Sequence, residues 1–169
     1  MVFEPVPDAD PIGFNAQNYL GGGDYVYNDA NGWSVKYNPE RFTITQEGSK
    51  VAFVYTGECA GTSMILATYD VEHNGKEMRD EILKGYGDAA TSSEGIFPGT
   101  DDIDGYWAFC PPIKEGSGLC MTSVSRDYMG GSLTFECIDH ISGNEELDTE
   151  ISDYLAMIID SITFTTYAN

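Results

Sequence analysis

The feature that most restricts how this chain can fold is a change of hydrophobic period along its length. Trp33, Val35 and Tyr37 alternate with Ser34 and Lys36, and Phe42 and Ile44 alternate with Thr43 and Thr45. A period of two is that of a strand with one buried face. KVAFVYTG at 50–57 and SMILATYDV at 63–71 continue the series. The second is apolar almost throughout and is expected in the interior of a sheet. Asn31-Gly32, Asn38-Pro39 and Glu47-Gly48-Ser49 read as the turns between these runs. The period then lengthens, with Met78, Ile82, Leu83 and Tyr86 at helical spacing and Gly85 and Gly87 supplying a stop. Strand patterns resume at YWAFC (106–110), 118–124 and 132–138, the last two separated by Gly130-Gly131. A final stripe of Leu147, Ile151, Tyr154, Leu155, Ile158 and Ile162 marks a second helix. Asn144 or Asp148 can cap it, and Glu145, Glu146 and Glu150 suit the positive end of its dipole.

Only one segment between strands is clearly helical, so most strands must be joined by short turns, which requires an antiparallel arrangement. The expected class is α+β: a mainly antiparallel β-sheet, one broad sheet, packed with two principal helices. Residues 1–23, rich in Pro and Asp and ending in Gly21-Gly22-Gly23, read as an N-terminal arm or tether. Residues 24–169 then form a single domain, a size that can bury about two-thirds of its surface. The triple glycine is followed by no Lys-Ser/Thr pair, so it is not a phosphate loop.

The 21 aromatic residues (11 Tyr, 8 Phe, 2 Trp) argue for a packed core. The formal charge of −20, from 8 basic and 28 acidic residues, repels phosphate backbones and anionic membranes. A nucleic-acid partner is therefore not expected, nor is a transmembrane segment, since no stretch approaches 18 apolar residues. The opening MVFEPVPDADPIGF has neither a basic segment nor an apolar core, so an exported form would have lost its leader.

GWSVKYNPERFTI at 32–44, a helix in mid-chain and a terminal helix running into DSITF at 160–164 resemble the PsbP-like fold. That fold is an antiparallel sheet between helices, an α-β-α sandwich shared by extrinsic photosystem proteins and a small Ran-binding import factor. The segment also resembles domains of exported or lipid-anchored proteins of Gram-positive gut bacteria. The resemblance spans about residues 30–166 and implies the fold and an extracytoplasmic, possible lipoprotein location. It carries no functional residue onto this chain, because the fold hosts binding and structural proteins alike.

Three constellations are candidate sites. Asp101, Asp102 and Asp104 are spaced as calcium ligands could be. Aligned with Gly105 as the sixth residue of a calcium loop, however, the twelfth is Pro111, which offers no side-chain oxygen. Tyr106 and Trp107, on opposite sides of a strand, are candidate ligand contacts, one side core and the other covered or exposed. Tyr128 and Arg126 join them, the arginine as a local ion-pair partner or an anchor for an anionic ligand. Cys110 and Cys120 flank PPIKEGSGL with Glu115 at its centre. A symmetric hairpin would set them opposite each other at about 4.5–5.5 Å, within disulfide reach. Cys59 and Cys137 are then a possible second pair.

No catalytic set is complete. His73 and His140 lack a nucleophile elbow, and the four cysteines lack the close pairs of a zinc site. No cofactor is called for. The expected function is a non-catalytic extracytoplasmic domain that binds a protein or glycan or serves structurally. A carboxylate-dependent hydrolase and a partner-binding accessory subunit are the alternatives. The hydrolase requires two carboxyls of raised pKa in one cleft.

Overall fold

The computed structural model describes residues 25–57, 61–112 and 118–165. The arm at 1–23, Cys59 and Glu115 lie outside the described residues. The elements in order are β1 (Val26–Asn28), β2 (Trp33–Lys36), β3 (Phe42–Glu47), β4 (Lys50–Tyr55), β5 (Met64–Asp70) and α1 (Gly75–Tyr86). There follow β6 (Thr91–Ile96), β7 (Asp104–Cys110), β8 (Gly118–Tyr128), β9 (Gly131–Ile141), α2 (Glu145–Asp160) and β10 (Thr163–Phe164). The fold is α+β, with two helices packed against antiparallel sheets.

The single broad sheet expected from the sequence is instead two. Seven strands run β3-β4-β5-β9-β8-β7-β6, while β1, β2 and β10 form a separate small sheet with β2 at its centre. Trp33 and Val35, the buried side of β2, lie in the core cluster of the large sheet, so β2 covers that sheet rather than extending it. The apolar run of β5 sits between β4 and β9, in the sheet interior as its composition predicts.

Register assigns the faces of the large sheet. Phe42 stands opposite Tyr55, Phe53 opposite Ile65, Ala67 opposite Phe135, Phe135 opposite Val124, and Val124 opposite Trp107. This apolar face is covered partly by α2, through Ile151, Tyr154, Leu155 and Ile158, and partly by the small sheet. Trp33 meets Phe135 edge to face with centroids 5.0 Å apart. Each such fully buried side chain contributes about 1.5–3 kcal/mol of burial free energy.

The opposite face carries Ser123, Ser125, Ser132 and Thr134, all buried, and α1 lies over its β7-β8-β9 portion. The Ser125 and Thr134 hydroxyls share a hydrogen bond of 2.7 Å. The stripe of α1 includes Arg79, only 6% exposed, beside Ile82, Leu83 and Tyr86. Its guanidinium lies 5.7 Å from the Tyr106 ring centroid, and Nε donates to Asp80 Oδ1 at 2.7 Å. Small hydroxylated residues beneath the helix leave room for that long stem.

Both helices start on the capping chemistry their sequences carry. The Asn74 side chain accepts from the Glu77 N–H, and the Glu77 carboxylate accepts from the Asn74 N–H. Asn144 accepts from the Leu147 N–H at 3.2 Å, so it, and not Asp148, is the cap of α2. β6 has no apolar alternation and every residue of it is exposed. It is an edge strand defined by its ladder with β7. Among the described residues no helix is long and apolar enough to cross a membrane.

Candidate functional site

The sequence candidates distribute over both faces of the large sheet. Trp107 packs on the apolar core, over the facing glycines Gly95 and Gly105. A methyl group on Gly105 would come within 2.8 Å of the indole, so glycine is what lets the ring lie flat there. Tyr106 points the other way and sits beneath Arg79.

Arg126 and Tyr128 share the core face two residues apart on β8. The Arg126 guanidinium is 4.9 Å from the Tyr128 ring, 4.6 Å from Phe164 and 5.8 Å from Phe97. Its Nε donates to the Asp127 carbonyl at 2.9 Å. Burial lowers its pKa, against the opposing influence of Tyr128 and Asp127. At 2% exposure this cation bridges β8, β10 and the Phe97 segment from inside. Phe164 also lines an open recess of about 270 Å³ with Thr100, Asp101 and Asp102. Asp104 instead begins β7. Among the described residues no group of three His, Cys, Asp or Glu side chains converges as a metal site would require.

The symmetric register about Glu115 is not the one adopted. Cys110 stands opposite Met121, and Cys120 opposite Asp139. The offset of one residue turns Cys110 and Cys120 to opposite faces, and the three described cysteines are free. The register follows the core pairing of Trp107 with Val124 on the same ladder. Burial first, then the Asp139 charge and Cys120, pushes the Cys137 thiol up to about 12.

Both histidines are engaged locally. His73 Nδ1 lies 3.3 Å from Asp70 Oδ1. His140 Nδ1 lies 2.7 Å from the Thr62 carbonyl, which can only accept, so that nitrogen carries the proton. The buried Ser63 hydroxyl accepts the backbone N–H of His140 at 3.0 Å and reaches Asp139 Oδ1 at 3.4 Å. Burial raises the pKa of Asp139, Glu136 and Asp160. Glu136 and Asp139 are three apart on β9 and face opposite sides of the sheet, while Asp160 ends α2.

A partly enclosed cleft lies between the two sheets. Its volume is about 130 Å³. The floor is Val51, Ala67 and Leu133 of the large sheet with Trp33 of the small one. The rim combines Asp29 and Asn31 from the β1–β2 turn, Gln46 near the end of β3, Ser49 from the β3–β4 turn, and Tyr69. Asp29 accepts from the Tyr27 hydroxyl at 2.8 Å and from the Asn31 N–H at 2.9 Å. Burial, then the hydrogen bond and charge of Asp29, raises the Tyr27 pKa well above its ordinary value, so this phenol stays protonated as donor. The tip of the β1–β2 turn is pinned from outside: the Tyr128 hydroxyl donates to the Asn31 carbonyl at 2.6 Å, and the Thr165 N–H to the Gly32 carbonyl at 2.9 Å. Tyr69 is held by its own hydroxyl, which donates to the Met129 carbonyl at 2.6 Å.

Sequence reasoning marked Asn31-Gly32 and Glu47-Gly48-Ser49 as turns and assigned them no further role. Their convergence around one cleft follows from the folding of the small sheet onto the large one. No protein-family model matches the chain, and no curated protein does.

Proposed function

We propose that this chain is a non-catalytic, extracytoplasmic binding domain of PsbP-like α-β-α architecture that holds a small molecule between its two sheets. The observation that carries the reading is the inter-sheet cleft, whose rim groups Asp29, Asn31 and Tyr69 are fixed by hydrogen bonds before any ligand arrives. Preformed clefts lower the ordering cost of binding. The dispersal of the raised carboxyls over two faces of β9 and the end of α2 favours binding over carboxylate hydrolysis. The helices on opposite faces of the large sheet support the PsbP-like layout, and the acidic surface accords with an exported protein.

The test is an amide-resolved NMR screen of the labelled protein against mixed amines, sugars and short peptides. Saturable shifts clustered at Asn31, Gln46, Ser49 and Tyr69 are expected. A complete screen with no shift at these positions would end the cleft reading. Protease shaving of intact source cells checks the location, which requires the protein to be removed from the surface.

A further inference from the structure

We infer that the open edge of β6 docks an extended, lysine- or arginine-bearing segment of a partner protein, which adds to the large sheet as a further strand. The site lies at the far end of that sheet from β3 and is independent of the inter-sheet cleft.

The edge is open. Among the described residues β6 pairs with β7 on one side and with no strand on the other. All six of its residues are exposed, and α1 packs on β7, β8 and β9 instead. Just past the ladder the Phe97 N–H donates to the Ile103 carbonyl. Counted back from there in steps of two, Gly95, Ser93 and Thr91 turn their backbone groups toward β7, while Ser92, Glu94 and Ile96 turn theirs outward. Arg79, seated over Tyr106 of β7, reaches the inward Ser93 carbonyl at 3.4 Å and leaves the outward groups open. Edge strands are ordinarily blunted by lysine, proline, a bulge or a covering element. TSSEGI has neither lysine nor proline, and its six pairs with β7 run without a bulge.

The surroundings of the edge define its occupant. Gly95 and Gly105 face each other on the ladder, and the partly buried Trp107 ring stands 3.4 Å from where a Gly95 side chain would begin. With no side chain at Gly95, a residue on a strand added beside it can reach that ring. Ile96 and Phe109, 50% and 40% exposed, offer further apolar contact at the two ends. The charged groups are of one sign. Glu94 lies on the strand, Asp104 stands opposite Ile96, and Asp101 and Asp102 occupy the adjoining turn, all exposed. From Gly85 to Ile113 the chain has no Lys or Arg. Cross-strand pairs of opposite charge stabilise a sheet and like charges oppose it, so a basic strand is favoured. Backbone pairing then supplies affinity, and the alternate side chains supply choice of partner. A second copy of this chain fits poorly: a two-fold pairing that uses all three outward residues sets Glu94 directly opposite Glu94 of the copy.

The experiment adds acetylated, amidated hexapeptides that alternate Lys with Val, Thr or Phe to the isotope-labelled native protein at low salt, and follows amide hydrogen exchange by NMR. Saturable slowing at Ser92, Glu94 and Ile96, with Ser93 and Gly95 unchanged, is expected, because only the first set has outward N–H groups to give. A peptide methylated at every backbone nitrogen cannot pair and should slow none of them. Replacing Lys by Glu in the peptides should weaken binding about tenfold or more. Glu94→Lys, at an exposed position, should erase that preference. Ser92→Pro removes an outward N–H where an edge tolerates proline and should block the Lys peptides. Equal slowing by the methylated peptides would overturn the inference, as would equal binding of the Lys and Glu series. So would the absence of slowing at these three amides with every Lys peptide at about 1 mM. Slowing at the same amides that grows with protein concentration and needs no peptide would assign the edge to a second copy and overturn it too. None of these outcomes bears on the cleft, whose residues are read separately at Asn31, Gln46, Ser49 and Tyr69.

Discussion

Phe135 is the residue on which the join between the two sheets can be tested most directly. It lies in β9 with no exposed surface, between Ala67 and Val124 in register, with Trp33 at 5.0 Å and Phe97 at 6.3 Å between ring centroids. Fully burying a phenylalanine contributes about 1.5–3 kcal/mol relative to leaving it exposed. Alanine keeps part of that contribution and the cavity left behind adds a penalty, so Phe135→Ala should cost about 3–5 kcal/mol. For a chain of this size the melting temperature should drop by about 10 °C. The measurement is urea unfolding followed by tryptophan fluorescence and far-UV circular dichroism, with the denaturant slope unchanged. Phe109, on the same face of β7 but 40% exposed, is the comparison, and Phe109→Ala should cost about 1 kcal/mol or less. If Phe135→Ala proves too unstable to isolate, Phe135→Leu should still show a loss of about 1–2 kcal/mol. A cost for Phe135→Ala no larger than that for Phe109→Ala would refute the packing of the small sheet on β9.

Acid stability offers a second check. Burial alone would raise the Asp148 pKa, but hydrogen bonds from the Ser142 N–H and hydroxyl and from the Gly143 N–H hold it below its ordinary value. A depressed carboxyl contributes stability above the unfolded pKa of about 4 and loses it as the pH falls through the folded value. Asp148→Asn should therefore destabilise the protein at pH 7 and flatten the fall in melting temperature below about pH 4. An unchanged acid limb would contradict the assignment. The thiols give a third. With a pKa of about 12, Cys137 at pH 8 holds on the order of a thousandfold less thiolate than a free cysteine. Mass spectrometry after timed alkylation should show Cys137 modified fast in denaturant and very slowly in the native protein, and equal rates would refute the burial.

Much of the fold was legible before any coordinates. The alternation at Trp33 and Val35, the interior position of β5 and the stripes of α1 and α2 follow from residues read in order, whereas the choice of Asn144 over Asp148 as the cap of α2 came from the structure. Arg79 was hidden because charge ordinarily signals a solvated position, and here the serines and threonines beneath α1 make room for it. The cysteine register was missed because symmetry about a turn is a local argument. Core pairing of Trp107 with Val124, farther down the ladder, is the stronger constraint.

The sequence by itself therefore determined most element types, the edge strand β6 excepted, their antiparallel connection and the acidity that rules the outer field. Local periodicity and turn chemistry act over a few residues, and a linear reading reaches that far. The tertiary structure alone decided that β2 pairs with β10 to make a second sheet and that Arg126 is enclosed by three rings. It alone also brought the turn at Asp29–Asn31 and the end of the β3–β4 hairpin together around one cleft. These arrangements join residues far apart in the chain, and burying Trp33 against Phe135 selects them over others the same local pattern would allow.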